Sequence, residues 1–140
     1  MMILSILLLF FTASMTSATP VVTLGNIVLR DSGFSQLKGH RVAVLTNPTG
    51  VFADSMSHIV DVMKDDSSLD IVAVFGPEHG FRGDKQAETG DPLFYIDAAT
   101  QLPVFSAYNM TSLELSAVMV RLNITTVVVD MQVGGWFVNY

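Results

Sequence analysis

The sequence predicts an α/β fold, a parallel sheet with helices on both faces. Three observations carry this. Apolar, β-branched runs stand at residues 41–46 (RVAVLT), 70–75 (DIVAVF) and 125–130 (TTVVVD). Each is unbroken, as suits a strand buried on both faces; a strand with one wet face would alternate. Segments with helical apolar spacing lie between them, and that alternation means βαβ units.

Residues 22–40 read as a lead-in with one short helix at about 27–36. The first strand, 41–46, follows Gly39-His40, and the loop NPTGV follows the strand. Met56, Ile59, Val60 and Met63 then repeat at helical spacing, which predicts a helix over 55–64 with Asp54 or Ser55 as N-cap. The second strand stops at Gly76-Pro77. LPVFSAY, 102–108, reads as a third strand. A helix over 109–123 follows. Thr111 and Glu114 have capping-box spacing, and Leu115, Val118, Met119 and Leu122 form its apolar stripe. Residues 125–130 make the fourth strand. No internal repeat or low-complexity segment interrupts the order.

The chain has 140 residues, half of them hydrophobic, which suits one domain with a sizeable core. Only 14% are charged, and the formal net charge is −6, which argues against a nucleic-acid partner held through phosphates. There is no cysteine, so disulfides, thiol catalysis and thiolate metal sites are all excluded.

The first twenty residues, MMILSILLLFFTASMTSATP, hold an apolar core at 3–12 and then small polar residues, with Thr16 and Ala18 before a cleavage point. That pattern predicts a signal peptide over 1–18 and a mature domain over 19–140. The apolar run is too short to span a bilayer. The expectation is a secreted, extracellular protein with no membrane association after cleavage. Sequons at Asn109 and Asn123 fit that route as glycosylation acceptors, while Asn47-Pro48-Thr49 is barred by its proline. Trp136, Phe137 and Tyr140 close the chain without a polar tail, so it reads as cut rather than finished.

The chemistry-bearing residues concentrate after the strands. Between 78 and 91 lie Glu78, His79, Arg82, Asp84, Lys85, Glu88 and Asp91, with glycines at 80, 83 and 90. Open α/β sheets bind ligands outside the carboxyl ends of their strands. Asn47, the 76–91 loop and the segment Asp130-Met131-Gln132 all follow such ends. Glu78, turned out by Gly76-Pro77 near Phe75 and Phe81, is placed to act as a general acid. The plainer reading is a loop carboxylate bonded to backbone amides or to Arg82. Arg82 and Lys85 suit a substrate carboxylate, or equally the neutralisation of Asp84, Glu88 and Asp91. His79 fits a proton carrier or a structural role. No paired-histidine spacing accompanies it, His40 and His58 being isolated, so no metal is expected. No G-x-G-x-x-G or P-loop follows the first strand, and no G-x-S-x-G elbow occurs. Nucleotide cofactors and a hydrolase serine are therefore not expected.

LKGHRVAVLTNPTGV, DIVAVFGPEHGFRGD and TTVVVDMQVGG resemble, in order and spacing, the signature blocks of the exo-β-N-acetylmuramidase family of glycoside hydrolases. QLPVFSAY resembles a further segment of that family, and the likeness runs over about residues 25–140. The resemblance implies a Rossmann-like N-terminal domain, a second and smaller domain beyond it, and an active cleft between the two. It implies release of terminal N-acetylmuramic acid from peptidoglycan fragments, without a cofactor. It makes Glu78 the catalytic acid and lines the substrate pocket with Asn47, His79, Arg82, Asp130 and Gln132.

One block departs from the family pattern. DMQVGGWFVNY lacks the family's second aspartate, with Trp136 where an arginine is expected and Val138 where a tyrosine is. The family's second domain is also absent from the chain as given. A second carboxylate would have to be Asp130 or Asp84. Three functions therefore stand side by side: a secreted glycosidase, a non-catalytic carbohydrate-binding or vestigial module, and a fragment of a longer enzyme.

Overall fold

The computed structural model describes residues 22–85 and 93–132. The signal peptide expected at 1–18, Glu88, Asp91 and the aromatic end at 136–140 lie outside the described residues. Eight regular elements run in the order α1 (Gly25–Asp31), β1 (Arg41–Thr46), α2 (Ile59–Asp65), β2 (Asp70–Gly76), β3 (Phe94–Ile96), β4 (Pro103–Ser106), α3 (Ser112–Arg121) and β5 (Thr126–Asp130), with a short 3₁₀ turn at Ser35–Leu37. They form one five-stranded sheet in the order β3-β4-β2-β1-β5.

β1 pairs in parallel with both β2 and β5, and β2 pairs in parallel with β4. The three unbroken runs are thus neighbours at the centre and one side of the sheet. β3 departs from the parallel expectation: it runs antiparallel to β4, with Tyr95 opposite Val104. Strand order turns back between β1 and β5, which makes the carboxyl ends of these two strands the switch point where such sheets bind ligands.

Both faces are covered, as the unbroken runs require. Val42, Val44, Ile71, Val74 and Val104 point to one face and pack with Ile59, Val60 and Met63 of α2 and with Phe34, Phe52 and Phe81 from loops. Ala43, Ala73, Phe75 and Phe105 point to the other and meet Leu115, Val118, Met119 and Leu122 of α3. The stripe expected for α3 is therefore the stripe it buries. Phe52, Phe81, Ile59 and Met63 are fully buried, and each such side chain contributes roughly 1.5–3 kcal/mol.

Three boundaries differ from expectation, each for a local reason. The first helix covers 25–31 rather than 27–36, because Gly33 and Phe34 take left-handed backbone, with φ of 62° and 51°. α2 starts at Ile59, and its cap is His58, not Asp54 or Ser55; the His58 ring accepts the Val60 N–H. The chain at 51–58 instead folds back on itself, with a bridge between Val51 and His58 that buries Phe52, while Met56 turns outward at φ 56°. Asp54 pairs with Arg30. The third expected strand shortens to Pro103–Ser106, because Ala107–Asn109 turn. α3 begins with the anticipated reciprocal bonds between Thr111 and Glu114. Among the described residues, no helix is long and apolar enough to cross a membrane.

Candidate active site

Three loops meet at the carboxyl edge of the sheet, after β1, β2 and β5. The loop after β1 is an Asn-initiated turn. Asn47 Oδ1 accepts from the Thr49 N–H at 3.1 Å and the Thr49 hydroxyl at 2.6 Å. Asn47 Nδ2 donates to the Gln132 carbonyl at 2.9 Å, and the Gln132 N–H donates to Thr49 Oγ1 at 2.8 Å. Asn47 and Thr49 therefore clamp the backbone after β5. Beneath them, the buried Thr46 hydroxyl donates to the Asp130 carbonyl at 2.6 Å. Gly50 allows this close approach: a Cβ there would fall against Thr46 Oγ1 and 2.9 Å from the Asp130 carbonyl.

The loop after β2 presents Glu78 and His79. Gly80 N–H donates to the Pro77 carbonyl at 3.1 Å, so these two residues form the corners of a tight turn. His79 holds a left-handed φ of 68°. Both corner side chains are exposed. The turn is pinned on its far side by Phe81, which is fully buried. Phe75 and Phe81 lie in opposite face cores, so Glu78 stands in solvent rather than against their rings. His79 Nδ1 lies 3.3 Å from the Lys85 carbonyl. A carbonyl only accepts, so Nδ1 is the donor in this contact.

Arg82 is held by two aspartates. Its Nε and Nη2 each donate to Asp97 at 2.8 Å, and its Nη2 and Nη1 donate to Asp61 at 2.6 and 3.1 Å. Its cation also lies 4.5 Å over the Phe81 ring. Asp97 is 5% exposed and accepts further bonds from the Thr100 N–H and hydroxyl. The Arg82 bonds hold the Asp97 carboxyl far below the usual carboxylate range, and the two aspartates raise the Arg82 guanidinium. Among the described residues this arginine ties the loop to α2 and to the β3–β4 turn. Lys85 pairs with Asp84 at 2.9 Å, while Asp130 has no ion pair among the described residues and accepts from Asn26.

Asp130 lies beside a groove of about 510 Å³ at the edge of β5, lined among others by Asn26, Leu29, Thr49, Val128 and Gln132. Asn26 Nδ2 donates to Asp130 Oδ2 at 3.2 Å and to the Val51 carbonyl at 3.1 Å. Asn47, Asp130 and Gln132 are thus brought together. Glu78 and His79 stand on the next loop but one, since β1 lies between β2 and β5, an offset of roughly 10 Å at ordinary strand spacing. Gly83 links the two sides, its ideal Cβ position being 2.8 Å from Pro48 Cγ. Asn26, His58, Asp61 and Asp97 are the participants that sequence reasoning missed. Ser57-His58 before Ile59 was a readable cap position, but the other three are joined to the site only by tertiary folding. Among the described residues, no group of three His, Asp or Glu could hold a metal ion.

A doubly covered, mostly parallel sheet with polar loops gathered at its carboxyl edge defines a Rossmann-like α/β domain with a surface site. The chain belongs to the family described as "Exo-beta-N-acetylmuramidase NamZ, N-terminal", which matches residues 42–140. It is 38% identical over 127 residues to the peptidoglycan β-N-acetylmuramidase NamZ of Bacillus subtilis (strain 168), a match covering 89% of this chain and 30% of that protein. The chain therefore spans about a third of the length of that curated relative. Two crystal structures of DUF1343 family proteins from Bacteroides fragilis NCTC 9343 share the fold. One has a TM-score of 0.62 at 33% identity, the other 0.53 at 26%, each covering 79% of this chain and 26% of the other.

Proposed function

We propose that this domain is the acid-bearing half of a secreted glycoside hydrolase that removes terminal N-acetylmuramic acid from peptidoglycan fragments. Family membership supports the reaction class. The observation that carries the residue assignment is the Pro77–Gly80 turn: it holds Glu78 exposed, without a partner among the described residues, at the sheet edge that also bears Asn47, Asp130 and Gln132. A carboxyl that serves no structural bond is free to give its proton to a glycosidic oxygen. Asp130 is the second carboxylate. Its place beside the groove suits contact with the sugar, and the clamp through Asn47 and Thr49 fixes the segment that carries it. His79, exposed beside Glu78, offers its ring to the sugar. Arg82 acts by holding the loop. Asn109 and Asn123, both exposed, are glycan acceptors on the secretory route.

The exposure of Glu78 favours a second reading, a carbohydrate-binding module. Proton donors in glycosidases work in less watery settings than this turn provides by itself. Titration with N-acetylmuramic acid, followed by amide resonances, tests both readings. The expected result is perturbation of residues 78–80, 47–50 and 130–132. Turnover is then measured on this chain and on the same domain joined to the remaining length of the curated relative. Release of the sugar by the joined protein supports the enzyme; binding without release supports the module. No perturbation at any of the three loops overturns both.

A further inference from the structure

His58 touches every part of the site except the loop after β5. Its Nε2 lies 3.1 Å from the Asn47 carbonyl. Its Nδ1 accepts from the Val60 N–H at 3.3 Å, which caps α2. Its ring meets Phe81 edge-on, with centroids 5.3 Å apart. These partners fix the tautomer: the carbonyl requires a proton on Nε2, and the amide requires a lone pair on Nδ1. The ring is therefore neutral, with both nitrogens used.

We infer that His58 is a positioning residue that couples the Asn47 loop to the Glu78 loop through these bonds and the Phe81 contact. Asn47 clamps the segment bearing Asp130, and Phe81 pins the turn bearing Glu78. One neutral ring thus sets the relation between the two carboxylate-bearing loops. Its chemistry makes that relation sensitive to protonation. A second proton on Nδ1 repels the Val60 N–H, releases the cap of α2, and places a cation against the buried Phe81.

The charged neighbours are Asp61, on the same helix, and Arg82, on the Glu78 loop; the 47–50 loop carries no charge. Burial lowers the His58 pKa from its ordinary 6.5, outweighing the Asn47 and Phe81 backbones and Asp61, which favour the cation. Arg82 adds to the lowering. Protonation of the ring is therefore a strained event confined to acid below that ordinary value.

The bearing on sugar chemistry rests on the proposed function. The coupling itself is read without any sugar, so the failure of one is distinguishable from the failure of the other. The protein is used as a His79→Asn variant, since Asn tolerates left-handed backbone and removes the other imidazole of the site. His40 lies elsewhere, against Thr125 and Thr126 where β5 begins. Amide resonances are followed as pH falls from about 7.5 to about 5, the range in which histidine changes charge. Gly50 and Thr49 on one loop, and Gly80 and Phe81 on the other, should move with one shared midpoint below the ordinary histidine value. The His58 ring nitrogens should show the Nε2–H tautomer at the start. In His58→Gln, which keeps a donor near Asn47 but has no basic nitrogen, the shared transition should vanish. Separate midpoints for the two loops, an Nδ1–H tautomer, or a transition that survives in His58→Gln would each overturn the coupling. The first two readouts use the intact ring, so they decide the matter even where the variant fails to fold.

Discussion

Arg82 and Asp97 meet as a two-point ion pair, Nε to Oδ1 and Nη2 to Oδ2, both at 2.8 Å. Asp97 sits in the turn after β3 with 5% of its surface exposed, and Arg82 stands four residues after Glu78. The pair therefore fastens the loop that carries the proposed acid to a rigid corner of the sheet. Removing Arg82 leaves the buried Asp97 carboxylate without its counter-ion, held only by the Thr100 bonds. Arg82→Ala should cost about 3–5 kcal/mol, the usual loss on breaking such a pair. Arg82→Lys should recover only part, because an ammonium cannot reproduce the fork to Asp61 and Asp97. Urea unfolding of the three proteins measures this; equal stability for Arg82→Ala and the parent would show that the pair is dispensable.

Stability should fall with acid in two separate windows. His58 has its folded pKa depressed below 6.5 by burial. Its contribution is complete above that value and is lost as pH falls below it, because the unfolded chain takes the proton first. The slope there is at most about 1.4 kcal/mol per pH unit. Asp97 is depressed from 3.8 by its bonds to Arg82. Its contribution is complete above the unfolded carboxylate value and is lost as pH falls toward the folded one. Unfolding free energies measured across pH should show both steps. The upper step should disappear in His58→Gln, and the lower one should shrink in Asp97→Asn, with Asp54, Asp66 and Glu114, whose pKa values are also lowered, supplying what is left.

β1 and β2 were legible because they are buried on two faces and so read as unbroken apolar runs; β5 reads the same way although it is the edge strand, half-buried with Val129 exposed. α3 was legible because Thr111, Glu114 and its stripe all agree. β3 was not, since Phe94–Ile96 is three residues long and is held only by pairing with β4. The start of α2 was misplaced because Asp54 and Ser55 are better N-cap types than histidine. Burial of Phe52 and the Val51–His58 bridge outweighed that preference. The place of Glu78 and Asn47 at the carboxyl edge of the sheet could be read from their position after strand ends. The pairing of Arg82 was not legible because its partners, Asp61 and Asp97, are 21 and 15 residues away in sequence. Nothing local announces that they converge.

Gly50 should tolerate no side chain. Gly50→Ala drives a methyl against the Thr46 hydroxyl and the Asp130 carbonyl, breaking the bond that joins β1 to the end of β5. The expected loss is about 1–3 kcal/mol, as for overpacking in a tight core. Perturbed amides should concentrate at 47–50 and 130–132. Unchanged thermal unfolding, with no perturbation at residue 130, would show that the loops are looser than the contacts imply.

Glu78→Gln separates function from fold. Glu78 is exposed and donates to or accepts from no described residue in an internal hydrogen bond, so the substitution should change stability by less than about 0.5 kcal/mol. Its effect belongs to chemistry. In the joined protein, hydrolysis of a muramic glycoside with a poor leaving group should fall by about 10²–10⁴, the usual contribution of a positioned acid. An aryl glycoside of the same sugar should lose less, because its leaving group needs less protonation. Sugar binding should change little, since glutamine keeps most of the polar contacts. Equal losses on both substrates would mark Glu78 as base or nucleophile rather than acid. No loss on either would remove Glu78 from the reaction and leave the Pro77–Gly80 turn as structure alone. The 140-residue chain by itself should show little turnover, because it matches 30% of the curated relative's length and the proposed acid, Glu78, is exposed. Brisk hydrolysis by the chain alone, abolished by Glu78→Gln, would show that the described edge suffices for catalysis and that the groove beside Asp130 holds the sugar without help from outside the domain.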